Sequence, residues 1–311
     1  MGKEKRAIGI AMVLIGASFW GIGGTVSQRL FQESGIPVNW LVTVRLLIAG
    51  MLLIGLAWMK DRNKVFQVWK ERRDAIQIMI FGLVGMLSAQ YTYMASISHG
   101  NAAVATLLQY LGPVVIIVYL VLRGINKFSV RDLVGVIFAL SGTFLLLTNG
   151  SAGALAVPVP AVVWGLLSAI ALAFYTLYPA ELLKKYGSLT IIGWAMLIGG
   201  VGMSFIHPPW NFNVAGWGMD TVFYLAFVIV FGTMIAFWFY LGSLSYLKPQ
   251  ETSLLSSVEP LAAIVTSVVW LHVSFGFYQV IGMGLIFCMI IYLAVFKEKV
   301  EVPDIESTIM N

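Results

Sequence analysis

Apolar residues run along this chain in ten stretches, approximately 8–28, 38–59, 75–97, 102–122, 130–148, 161–183, 189–206, 220–241, 251–271 and 278–296. Nearly all the charge falls in the short segments between them. About 20 helical residues, rising 1.5 Å each, cross a hydrocarbon core of roughly 30 Å. Each stretch therefore predicts a spanning helix, and the chain as a whole predicts an all-α integral membrane protein with ten transmembrane helices. The first stretch outlasts the apolar core of a signal peptide, about 7–15 residues, and reads as a mature helix.

The pattern repeats at a constant offset of 147. Ala89 meets Ala236, Tyr93 meets Tyr240, Ser96 meets Ser243, Pro113 meets Pro260 and Gly135 meets Gly282. The register holds from span 3 to span 5 against span 8 to span 10. Five spans per copy is odd, so the second copy must enter the bilayer from the opposite side. The reading is thus two inverted-topology five-helix repeats, residues 1–148 and 161–296, joined by a linker at 149–160 and followed by a cytoplasmic tail at 297–311.

Composition fits lipid as solvent. The 311 residues are 59% hydrophobic and only 11% charged, against roughly 25% charged in a soluble domain. The 31 glycines lie mostly inside the spans, where small residues let helices approach closely. Charge sets the orientation. If the amino end is cytoplasmic, seventeen of the nineteen Lys and Arg residues fall on inner segments, among them Lys60, Arg62, Lys64, Lys70, Arg72 and Arg73. Arg29 stands alone outside and Arg45 lies within span 2. Both termini are therefore expected in the cytoplasm of a multi-pass protein of the cell membrane. No basic run on a soluble unit interleaves with aromatics, so no nucleic-acid partner is expected. The lone cysteine, Cys288, rules out an internal disulfide. His99, His207 and His272 have no metal-ligand spacing, and no cofactor or metal is expected.

Ser18-Phe19-Trp20-Gly21, Arg45-Leu46-Leu47, the run from Ala95 into Leu111-Gly112-Pro113, and Val258-Glu259-Pro260 stand in an order that resembles the EamA-type family of the drug/metabolite transporter superfamily. The resemblance covers nearly the whole chain. It implies a central cavity lined by spans 1, 3, 4, 6, 8 and 9, and transport of small metabolites, often amino acids leaving the cell. Acids that members commonly carry just after spans 4 and 9 are replaced here by Arg123-Gly124-Ile125-Asn126 and Leu271-His272-Val273-Ser274.

Glu259 is the sharpest candidate. It sits about 12 Å into span 9, where an acid costs at least ~2.5 kcal/mol unless protonated, paired or wet. Thr252, Ser256, Glu259, Ala263 and Thr266 share one helical face, and Pro260 frees a backbone carbonyl near Ser256. A site for a proton or other coupling cation and a neutral Glu bonded to a neighbouring helix both fit. Arg45, the only base within a span, is either structural or a receiver of a substrate carboxylate. Trp20, Gln90, Tyr93, Gln109, Tyr175, Tyr178, Trp238 and Tyr240 lie too deep for interfacial belts. With Glu259 they are the candidate substrate-binding residues, and such aromatic faces suit an amine. Pro113 and Pro260, with Arg45, are expected to shape or break helices.

The expected activity is secondary transport of a small molecule, an amino acid or related amine, by alternating access and outward. Import of a quaternary amine held in an aromatic pocket is the alternative. From other classes, a channel-like or scaffolding bundle and a membrane-embedded enzyme on a lipid substrate remain; the enzyme would need clustered acids or histidines at one interface, and none is present. Membrane lipid is the other expected partner, and the sequence leaves oligomeric state open.

Overall fold

The computed structural model describes residues 3–151, 153–211 and 217–296. The tail at 297–311, with Lys297 and Lys299, and Ala152 of the linker lie outside them. Every regular element among the described residues is helical.

Ten apolar helices keep the predicted order. They are α1 (Lys3–Gln32), α2 (Val38–Lys60), α3 (Arg72–His99), α4 (Ala102–Leu122), α5 (Val130–Thr148), α6 (Val159–Leu177), α7 (Ser188–Ser204), α8 (Met219–Ser243), α9 (Pro249–Val269) and α10 (Phe277–Val295). Nine of them are long and apolar enough to cross a bilayer; α7, at 17 residues, is shorter. Predicted span 6 is also corrected. Its helix stops at Leu177, and Ala180–Tyr186 forms a separate short helix in which exposed Glu181 pairs with Lys184 at 2.7 Å. Pro179 accounts for the stop, because it cannot donate to the helix that precedes it.

Helix packing is exchanged by the repeat. α2 lies along α7 and α5 along α10; α3 packs on α6 as α8 packs on α1; and α4 meets α6 as α9 meets α1. Small residues set these approaches. A Cβ on Gly23 would stand 2.9 Å from the Cα of Gly232, so α1 and α8 touch backbone to backbone. Large apolar side chains such as Leu140, Phe144 and Val269 face outward, which costs nothing where lipid is the solvent.

Two irregularities recur in both halves. α3 carries a π-helical turn at Phe81–Met86 and α8 one at Val230–Ile235, each around the repeat-matched glycine, Gly85 or Gly232. α4 breaks between Gln109 and Gly112, and α9 breaks between Leu255 and Val258. The offset of 147 brings the two breaks to within one residue of each other. Pro113 and Pro260 each stand in the first turn after a break, where a missing N–H is least costly. Arg45, by contrast, is interior to the unbroken α2 and interrupts nothing.

Candidate functional site

Where the two broken helices meet α1, α3, α6 and α8, they enclose a cavity of about 480 Å³. Its lining runs from Gly23, Gly24 and Thr233 at one end to Asn126, Arg131 and Asp132 at the other. The second end lies between the start of α5 and the end of α10, near Leu293.

Of the nine candidate substrate-binding residues, Trp20, Gln90, Tyr93, Gln109, Tyr175, Tyr240 and Glu259 line this cavity. Tyr178 and Trp238 do not, and the expectation for them is corrected. Tyr178 stacks on Phe174 with centroids 4.8 Å apart, beyond the end of the α6 helix. Trp238 is 42% exposed and leans on Phe239. Phe237, Tyr240 and Leu241 form the inward face of α8 instead. Trp238 is one residue on from Phe237, about 100° further round the same regular turn, and so points away from this face.

Glu259 occupies the first turn of the second piece of α9. Unpaired backbone N–H groups and the helix dipole favour negative charge at such a place. Its Oε2 accepts a hydrogen bond from the Tyr110 hydroxyl at 3.0 Å, and the same hydroxyl lies 3.1 Å from the carbonyl oxygen of Ser256. The Ser256 carbonyl, which also accepts the Glu259 N–H at 3.0 Å, thus shares the phenol that holds the acid. Tyr110 is the cavity residue bonded to Glu259 that sequence reasoning missed. It belongs to the break in α4, so a regular helix gives it no face, and its repeat mate, Ser257, gives no hint.

The polar stripe of α9 divides at Glu259. Ser256 and Glu259 face the cavity, while Thr266 turns to α1 and meets the Thr25 hydroxyl at 2.7 Å. α1 approaches so closely here that a Cβ on Gly21 would fall 2.3 Å from the Glu259 carbonyl oxygen.

The aromatic wall is built by paired contacts. Trp20 meets Phe237 edge-on at 4.9 Å and Tyr240 at 5.2 Å. The Tyr93 hydroxyl bonds Thr106 Oγ1 at 2.8 Å, over Gly24, where a Cβ would lie 2.7 Å from it. Arg45, 4% exposed, reaches the cavity from α2 and donates to Gln90 Oε1. Among the described residues Arg45 and Glu259 do not form an ion pair with each other. No group of three or more His, Cys, Asp or Glu residues among the described residues is placed to hold a metal ion. Away from Arg131 and Asp132 at its far end, the cavity offers the acid of Glu259, the guanidinium of Arg45 and several aromatic faces inside an apolar shell. It can hold a small polar molecule.

Gly23, Gly24 and Thr233 ring one end of the cavity. Beyond it the Arg29 guanidinium lies 5.3 Å from the Tyr224 ring and 5.1 Å from the Trp270 ring, and it pairs with Glu33 at 2.7 Å. These contacts tie α1 to α8 and α9.

The chain matches the model of the EamA-like transporter family twice, over residues 7–148 and 159–295. It is 34% identical over 301 residues to the uncharacterized inner membrane transporter YicL of Salmonella typhimurium, covering 96% of this chain and 98% of that one. It is 25% identical to the uncharacterized transporter YxxF of Bacillus subtilis, with 92% and 88% covered. It is 24% identical to a chloroplastic WAT1-related protein of Arabidopsis thaliana, with 90% and 67% covered. A solved crystal structure with 16% identity shares the fold, with a TM-score of 0.62 over 97% of this chain and all of that one.

Proposed function

Because the chain belongs to the EamA-like transporter family of membrane proteins, we propose that it is a secondary transporter that moves a small amino acid or related amine across the inner membrane, outward, by alternating access. The observation that carries this reading is Glu259, an acid deep in a spanning helix, facing a cavity walled by Trp20, Tyr93, Tyr175 and Tyr240. An ammonium group is attracted both by a carboxylate and by aromatic faces. Glu259 also serves as the coupling site in this proposal, exchanging a proton or other cation as the cavity changes sides.

The distribution of Lys and Arg supports ten spans with both termini cytoplasmic. With that orientation the end of the cavity at Asn126 and Arg131 faces inward, and in this reading the Arg29 contacts form the closure on the outer side. The exchanged packing and the paired helix breaks support two inverted halves that rock around a fixed site. Membership of the family supports a carrier over an enzyme, and the resemblance supports export.

Counterflow in proteoliposomes tests the reading. Trans-stimulated exchange of a labelled amino acid or amine is expected, with a pH dependence that Glu259→Gln abolishes. Absence of exchange with all amino acids, polyamines and quaternary amines would refute the substrate class. A pH dependence kept intact in Glu259→Gln would refute the coupling role.

A further inference from the structure

The geometry points to Arg45 and Gln90 as an anion-receiving end of the cavity that takes the carboxylate of the transported molecule. This deepens the transport reading and rests on it.

A guanidinium has five N–H donors and no acceptor. Arg45 spends one on Gln90 Oε1 and directs another at the thioether sulfur of Met94, 3.7 Å away. Its Nε is buried and has no hydrogen-bond partner among the described residues. The Gln90 amide nitrogen has a similar neighbour, Met86 Sδ at 3.9 Å. A thioether is a weak acceptor. Two strong donor groups, side by side on the cavity wall, therefore meet mainly sulfur.

Buried polar groups are normally matched by acceptors of comparable strength, and buried charges are paired. Arg45 has one amide oxygen, that of Gln90, and no opposite charge: no carboxylate of the described residues lies within ion-pair distance of it, and Glu259 is engaged by Tyr110. Gln90 also fixes the guanidinium, since its carbonyl oxygen occupies one donor and turns the planar fork. A planar fork with free donors matches the two oxygens of a carboxylate. The cavity then has an anion-receiving end at Arg45 and Gln90 and a cation-receiving group at Glu259. Simple and quaternary amines satisfy only the second.

Three probes of one shape separate the two ends: leucine, isoamylamine (the amine without the carboxylate) and 4-methylpentanoate (the carboxylate without the amine). Binding to the purified full-length protein is measured by titration calorimetry for the wild type, Arg45→Gln and Gln90→Glu. We expect leucine to bind at least about tenfold more tightly than isoamylamine, a difference typical of a hydrogen bond to a charged group. Arg45→Gln should erase that advantage, leaving leucine and isoamylamine with equal affinity. Gln90→Glu, which gives Arg45 an internal partner and needs no buried charge left alone, should do the same while raising the melting temperature of the ligand-free protein. Isoamylamine binding as tightly as leucine, or carboxylate affinity unchanged in both variants, overturns the proposal while leaving an amine transporter standing. If only 4-methylpentanoate binds, and is lost in the variants, the role of Arg45 survives and the amine reading fails. No binding of any probe removes both.

Discussion

The Tyr110 hydroxyl donates to Glu259 Oε2 at 3.0 Å, joining the break in α4 to the break in α9. The two residues come from different halves of the repeat. One phenol thus satisfies the buried acid and, at 3.1 Å, lies beside the carbonyl of Ser256.

Tyr110→Phe keeps the ring and removes the donor. A buried acid that loses its hydrogen bond costs about 1–3 kcal/mol. Thermal unfolding in detergent should show the loss, and transport should fall with it. Wild-type stability and exchange rate in this variant would mean that another group holds Glu259.

Gly21 lets α1 lie on α9. An added methyl would meet the Glu259 carbonyl oxygen and the Ala263 amide nitrogen, both backbone atoms that cannot rotate away. Gly21→Ala is expected to destabilise by about 1–3 kcal/mol, as overpacking does. Gly284→Ala is the control, since a Cβ there has nothing within 4 Å. Equal melting temperatures for the two variants would contradict the close approach.

Trp270 and Tyr224 hold Arg29 where α1 meets α8 and α9. With the proposed orientation, Trp270→Leu loosens the outer closure. A cysteine at Gln109, which lines the cavity, reports it in a Cys288→Ser background. A membrane-impermeant thiol reagent applied from outside should modify it several-fold faster in Trp270→Leu. An unchanged rate would assign the closure elsewhere.

Lys185 binds Asp74 at 2.7 Å and Glu71 at 2.9 Å, fastening the short helix after α6 to the start of α3. The hydrogen bond to Asp74, with help from Glu71 and Tyr186, pushes the lysine above its ordinary value of 10.5. A raised lysine contributes stability that is complete below the unfolded value and disappears as pH rises through the folded one. The melting-temperature gap between wild type and Lys185→Met should stay constant up to about pH 10 and narrow above it. A gap that widens with pH would reverse the assignment.

The order of apolar stretches, the 147-residue repeat and Glu259 as a midspan acid were legible in the sequence, because hydropathy and spacing are one-dimensional properties. The paired prolines marked where α4 and α9 break. Which side chains share the cavity was decided only by the tertiary structure, since a helix's rotation about its axis is set by its neighbours. The rotation of α8 against α1 turned Phe237 inward and left its neighbour Trp238 outside. The end of α6 at Leu177 took Tyr178 off the wall. Tyr110 became the partner of Glu259, and Arg45 that of Gln90, only because helices far apart in sequence pack at the depth where those side chains reach.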